Sequence, residues 1–543
     1  MKTITRENFL KIRKSTDAIS GIQRYAKANT QPDPFKAVES YEALLAYADQ
    51  TGDRDEFISV SRDLASCFTF LNGSYFCRHA IAVLDRLFEK YPESVYADLP
   101  EDVKWIYAVC LDLYIVNILN NVDSDYGALD AALTHAEGFW KKYGHWEKFK
   151  ASQNEKYTML GTHYEYGFSV PMPKAFSEKL HKLTPDNLRA EYSETMRGGE
   201  VMKYLSGLMI SYAAGNIRQD EYFDALEKTA RHVMALNIDS DENYAVMHHL
   251  QAAVISCAVL GKHAQVRWPL GVDLFAWIST LPPKFLGIIH TLDGAFYEAA
   301  KMAGLTKSKH SYVHTLLKTT THLHIPTYAH SLMVGELMAV IARYLMEKDP
   351  AAFYEMFGTE DKAHILSEVR IAGEGHDIGK IAYINTISQM GRKLTGYELE
   401  LLKLHPELAA KFYQDEDYKC IYDVAYGHHK TYCGKGGYPA VFDNTASPFR
   451  LVIDIASVAD AIDAATDYIG RQYKKTKTTD AIISDIVAHS KPDRQEEIRY
   501  NPMIAEELRK SDALRNLIGD TVENYRHTAY ARAYAAFAPC NEN

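Results

Sequence analysis

Apolar residues recur along this chain at intervals of three and four, and no stretch of convincing length shows the strict alternation of a strand. That periodicity restricts the chain to an all-α fold, in which every amphipathic helix needs a neighbour to cover its apolar stripe. With 543 residues there is more chain than one hydrophobic core usually serves, so two or more helical domains are expected.

Residues 1 to about 165 give amphipathic segments joined by short turns. Within them, residues 64 to 92 read as a helical hairpin, with Leu64, Leu71, Ala80, Leu84 and Pro92 at tetratricopeptide-like spacings and Phe68 where that repeat has a small glycine. A proline-rich break at 169–186 marks a possible sub-boundary before helical patterning resumes to about 305. In NYAVMHHLQAAVISCAVLG, Gly261 reads as a C-cap, and His248 and His249 as one boundary and one core histidine. The polar stretch 306–322 is the expected junction between a helical, TPR-like regulatory or interaction region, 1–305, and a C-terminal domain, 306–543.

Seven scattered cysteines with no CxxC pair suit a reducing cytosol rather than a disulfide framework. The N-terminus lacks an apolar core and no apolar run approaches 18 residues, so a cytoplasmic protein without a membrane span is expected. A net charge of −11 argues against nonspecific affinity for DNA, RNA or anionic lipid.

In the C-terminal region, metal-ligand residue types fall on apolar stripes. His330 leads Val334, Leu337, Ile341 and Tyr344 at helical spacing, and Ile365, Val369 and Ala372 lead to His376 with Asp377 beside it. Thr395 and Glu398 form a capping box that opens a helix carrying His405, and Asp460 shares the face of Ile453, Ser457 and Ala464. Burying these groups together is costly without compensation, and a metal centre supplies it. Imidazoles mixed with carboxylates suit iron, manganese or zinc. The stretch HHKTYCGKGGYP, 428–439, adds His428 and His429 at a loop, where both can bend toward one ion or flank it.

At His330, HDIGK (376–380), HP (405–406), HH (428–429), GYP (437–439) and VAD ending in Asp460, the sequence resembles the HD-GYP family of HD-superfamily phosphohydrolases, over about residues 310 to 530. The resemblance implies an all-helical HD-GYP domain holding two divalent metal ions, iron or manganese by family habit. Asp377 would bridge them, His330, His376 and Asp460 completing one site and His405, His428 and His429 the other. It further implies a bacterial signalling enzyme, a phosphodiesterase that hydrolyses cyclic di-GMP to a linear dinucleotide or GMP. Lys380 would reach a phosphate oxygen or protonate the leaving group. Arg471, Tyr473 and Lys474 match the family's R-P-Y-K/R segment with Gln472 at the proline, and Arg471, Lys474 and Tyr438 are the substrate-binding candidates.

Several positions depart from the family pattern. Lys430 stands where a glutamate is usual, and Cys433 with Gly434 where an aspartate and glycine are usual. Pro326 takes the place of a glutamate that holds part of a third metal in some members, so two ions are expected. Besides the cyclic-dinucleotide phosphodiesterase, two readings stand: a noncatalytic cyclic-dinucleotide receptor or scaffold, and an HD phosphohydrolase acting on another nucleotide. A protein partner could bind through residues 1–305.

Overall fold

The computed structural model describes residues 5–25, 32–71, 73–166, 170–183, 192–236, 243–263, 268–281, 293–383, 392–470, 475–491 and 498–537. These residues form helices joined by turns, and among them the only β pairing is an isolated antiparallel bridge between Lys430 and Gly437. The all-α expectation therefore holds. The chain divides into two compact units, Met1–Leu260 and Gly261–Asn543.

In the first unit, sequence neighbours pack on one another from Arg6–Ile19 onward. Arg54–Leu71 and Ser74–Lys90 form the expected hairpin, with Leu64, Ala80 and Leu84 fully buried. Aromatic rings fill the next layer, where Trp140 stacks on Phe149 at 4.3 Å. One buried carboxylate, Asp63, is held by Arg24 at 2.5 Å, Arg62 at 2.7 Å and Arg13 at 3.1 Å, so its charge is compensated within the helical array.

One local expectation fails, the Gly261 C-cap, and the two stretches read as boundaries carry helices. The proline-rich break contains a helix, Lys174–Leu183, whose Phe176 and Leu180 are buried. Gly261 is no C-cap, because its helix runs through it to Lys262; a Cβ there would come within 3.1 Å of the Glu298 carbonyl oxygen, so the glycine permits a close helix approach. The polar stretch 306–322 is mostly helix, Lys309–Leu323, which buries Tyr312, Val313, Leu316 and Leu317 behind its polar face. As expected, His249 is buried and accepts a hydrogen bond from the Gly198 N–H at 2.7 Å, while His248 is half-buried.

The second unit is organised around Ile325–Lys348, with Pro326 in its first turn. By length and composition this helix could cross a membrane, although Glu336 and Arg343 interrupt its apolar run; 78% of its apolar window is buried in the fold. It packs against Lys362–Gly375, Arg450–Thr466 and Arg526–Phe537. It meets Lys362–Gly375 glycine on glycine: a Cβ on Gly373 would lie 2.7 Å from the Gly335 Cα. That contact draws together the two helices that carry His330 and His376.

Candidate metal centre

Each candidate ligand sits where a helix begins, ends or presents a buried face. His330 lies in the first turns of Ile325–Lys348 and is 3% exposed. His376 caps Lys362–Gly375, and Asp377 follows before the short 3-10 turn Ile378–Ala382. The expected single helix around His405 is two, Gly396–Leu402 behind its capping box and His405–Ala410, so His405 opens a helix with Pro406 beside it. His428 caps Lys419–Gly427, and Asp460 lies on Arg450–Thr466.

These side chains converge on Asp377. Its Oδ2 is 3.3 Å from His330 Nε2 and 3.5 Å from His376 Nε2, and its Oδ1 is 3.2 Å from His405 Nε2 and 3.8 Å from His428 Nε2. Asp460 Oδ1 is 3.1 Å from His330 Nε2. His429 completes the ring, its imidazole centroid 4.2 Å from that of His428 and 5.0 Å from that of His405. Two groups, His330 with His376 and Asp377, and His405 with His428 and His429, each bring their ligand atoms within 4.8 Å of one another.

The hydrogen bonds around the centre determine which nitrogen faces it. Nδ1 of His376 lies 2.6 Å from the Gly373 carbonyl, Nδ1 of His405 lies 2.6 Å from that of Leu402, and Nδ1 of His428 lies 3.0 Å from that of Ala425. A carbonyl only accepts, so each Nδ1 carries the proton and each Nε2 turns a lone pair inward. The carbonyls are available because helix ends leave them without intrahelical donors. Nε2 of His405 then faces Nε2 of His428 at 3.0 Å, lone pair against lone pair. Burial holds both imidazoles below their ordinary range, so a proton is a poor bridge. A shared cation relieves the clash.

The first group shows the same need. His330 Nε2, His376 Nε2 and Asp377 Oδ1 are buried and have no hydrogen-bond partner among the described residues. Burial would lower His330, but the carboxylates of Asp377, Asp460 and Asp463 outweigh it and raise the imidazole to about 10. Burial likewise works against the charge on Asp377, yet Lys380 and the surrounding imidazoles hold it well below the carboxylate range. The donor set fits divalent metal: ionised carboxylates, neutral imidazoles at His376, His405 and His428, and at His330 an imidazole whose Nε2 proton a metal would displace beside the same carboxylates.

Lys380 is half-buried on the 3-10 turn and its ammonium contacts Asp377 Oδ2, so it follows a helix end instead of continuing the helix. Gly437 has φ +80°, and a Cβ there would come within 2.0 Å of the His429 carbonyl oxygen. This approach lays the Tyr438 ring 4.5 Å from the His429 ring. Arg471 and Lys474 lie outside the described residues.

Two groups behind the ligands were not expected. Asp463 Oδ2 accepts a hydrogen bond from His330 Nδ1 at 2.6 Å and is itself 1% exposed. Arg526, equally buried, reaches Asp463 at 2.9 Å and Asp467 at 3.2 Å. The three-residue interval from Asp460 places Asp463 near the same helical face and could have revealed it. Arg526 left no such local signal.

Part of the chain is similar to curated proteins. It is 33% identical over 151 residues, 27% of its length, to the protein named cyclic di-GMP phosphodiesterase PA4108 of Pseudomonas aeruginosa. It is 34% identical over 127 residues, 22% of its length, to the cyclic di-GMP phosphodiesterase response regulator RpfG of Xanthomonas campestris pv. campestris. The chain spans about a third of each relative, 32% in both cases. No family model matches, and no solved structure matches.

Proposed function

We propose that this chain is a metal-dependent phosphodiesterase that hydrolyses a cyclic dinucleotide, cyclic di-GMP, to a linear dinucleotide or GMP. The observation that carries the reading is the inward-facing pair His405 Nε2 and His428 Nε2, 3.0 Å apart beside the Asp377 carboxylate. The names of the two partial relatives support the substrate class.

In this reading His330, His376 and Asp460 hold one ion, His405, His428 and His429 hold the other, and Asp377 serves both. Iron or manganese suits these donors. Bound there, the two ions supply Lewis-acid charge for activating water and stabilising phosphoryl oxygen.

The chain's own residues do the positioning. Backbone carbonyls fix the tautomers of His376, His405 and His428, and Asp463 fixes that of His330. Lys380, already at Asp377 Oδ2, has protons to donate to a phosphate oxygen or leaving oxygen close by. Tyr438 presents a ring against His429 on which a base or ribose can rest. Arg471 and Lys474 are assigned to the phosphates.

We further assign residues 1–305 to a TPR-like region that receives a signal or protein partner, and 306–543 to the hydrolase. The whole is placed in the bacterial cytoplasm. A second reading, hydrolysis of a different nucleotide, draws on Lys430, which is only 6% exposed at the bridge to Gly437 where the family has an acid.

The test is incubation of the metal-loaded full chain with a panel of cyclic dinucleotides and other nucleotides, followed by separation of products. Cleavage of cyclic di-GMP above all others is expected. Turnover of another nucleotide alone selects the second reading, and tight binding of cyclic di-GMP without turnover selects the receptor.

A further inference from the structure

A second cluster of ligand-type side chains lies where Lys309–Leu323 packs on Lys362–Gly375. His310 and His314 occupy successive turns of one helix face, and Glu374 faces them from the other helix. One ligand atom from each lies within 4.8 Å of the others. His314 Nε2 is 3.1 Å from Glu374 Oε2, and His310 Nε2 is 2.8 Å from the Ser367 hydroxyl.

The three are unequal in a way that suits a binding site. Both imidazoles are exposed, whereas Glu374 is only 5% exposed. Its stem is fixed by the glycine crossing, since a Cβ on Gly335 would fall 2.7 Å from Glu374 Cγ. The carboxylate is therefore packed largely out of solvent, and a buried carboxylate gains from a cation beside it. The neighbouring cation Lys309 is already engaged by Glu368 at 2.7 Å.

We infer that His310, His314 and Glu374 form a second, exterior site for a divalent ion of the zinc class, separate from the buried centre. Two imidazoles and one carboxylate with an open fourth position are a familiar donor set for that ion. Donors around a tetrahedral zinc sit roughly 3.4 Å apart, and the three ligand atoms lie within 4.8 Å of one another, so binding would draw them together. The ion ties the Lys309–Leu323 helix to the one that ends in His376 and Asp377, bracing the support of the buried centre from outside. Nothing in this inference depends on what the buried centre hydrolyses.

The test uses the full chain with its buried centre filled, gel-filtered and dialysed against zinc. Wild type should hold one zinc per chain more than the His310→Ala/His314→Ala variant, and added zinc should raise Tm in wild type alone. Both replaced imidazoles are exposed, so the variant keeps its fold. Asp377→Ala should retain the exterior zinc. Glu374→Gln keeps shape and an acceptor for His314 but removes the charge, and should weaken zinc binding roughly tenfold or more. Equal zinc content and equal Tm shifts in wild type and the double histidine variant would overturn the site.

Discussion

The Asp463 carboxylate accepts the Nδ1 proton of His330 at 2.6 Å and is itself gripped by Arg526 at 2.9 Å. A histidine that donates from Nδ1 keeps its Nε2 lone pair for a metal, so the tautomer of His330 is set by a residue that need touch neither metal nor substrate.

Asp463→Asn tests that link. The amide can donate to Nδ1, which favours the tautomer with its proton on Nε2, aimed at the centre. Metal affinity should fall by roughly 10–100-fold, measured by competition with a chromophoric chelator. Unchanged affinity would remove Asp463 from the centre's support.

Asp377→Ala should abolish hydrolysis and lower occupancy at both ions, since this carboxylate lies within 3.5 Å of three imidazoles from different elements. Elemental analysis with a turnover assay reads both effects. Near-normal turnover would sink the proposed mechanism.

Arg471→Ala should weaken cyclic di-GMP binding while leaving metal content intact, because a guanidinium grips phosphate rather than metal. Isothermal titration paired with metal counting is the measurement. A parallel fall in metal content would reassign Arg471 to structural support.

The buried centre should hold two ions, iron or manganese before zinc, because Pro326 offers no donor where a third ligand would stand. Counting metal in protein purified without chelator, on the His310→Ala/His314→Ala background, isolates this centre. Three retained ions would refute the reading of Pro326.

Asp454 gives a pH test away from the metals. Burial outweighs its hydrogen bond from Asn501 and raises it from 3.8 to about 6. The folded state therefore binds the proton more tightly than the unfolded chain. Asp454 is not penalised below its ordinary pKa, and its contribution becomes increasingly destabilising as pH rises toward about 6. Asp454→Asn should lack that decline, so its Tm relative to wild type should climb across this window and then level off. A constant Tm difference would contradict the assignment.

The buried ligands were legible because histidine and aspartate on an apolar stripe violate the stripe, and local spacing exposes such violations. His330, His376 and Asp460 were found in that way. Arg526 was not, because its partner Asp463 is remote in sequence and contact between distant helices leaves no period. The helices Lys174–Leu183 and Lys309–Leu323 escaped for the converse reason: prolines flanking the first, and polar residues within both, masked the narrow apolar faces that bury them.

The crossing of Gly335 over Gly373 has a mechanical consequence. His330 and His376 stand on different helices, each a short lever from that contact, where neither glycine brings a side chain of its own and Met338 Sδ and Glu374 Cγ fill the flanks. The gap between the levers is therefore gauged by how closely the two main chains approach at these glycines. A single methyl group there would act as a wedge, spreading the two imidazoles without touching either.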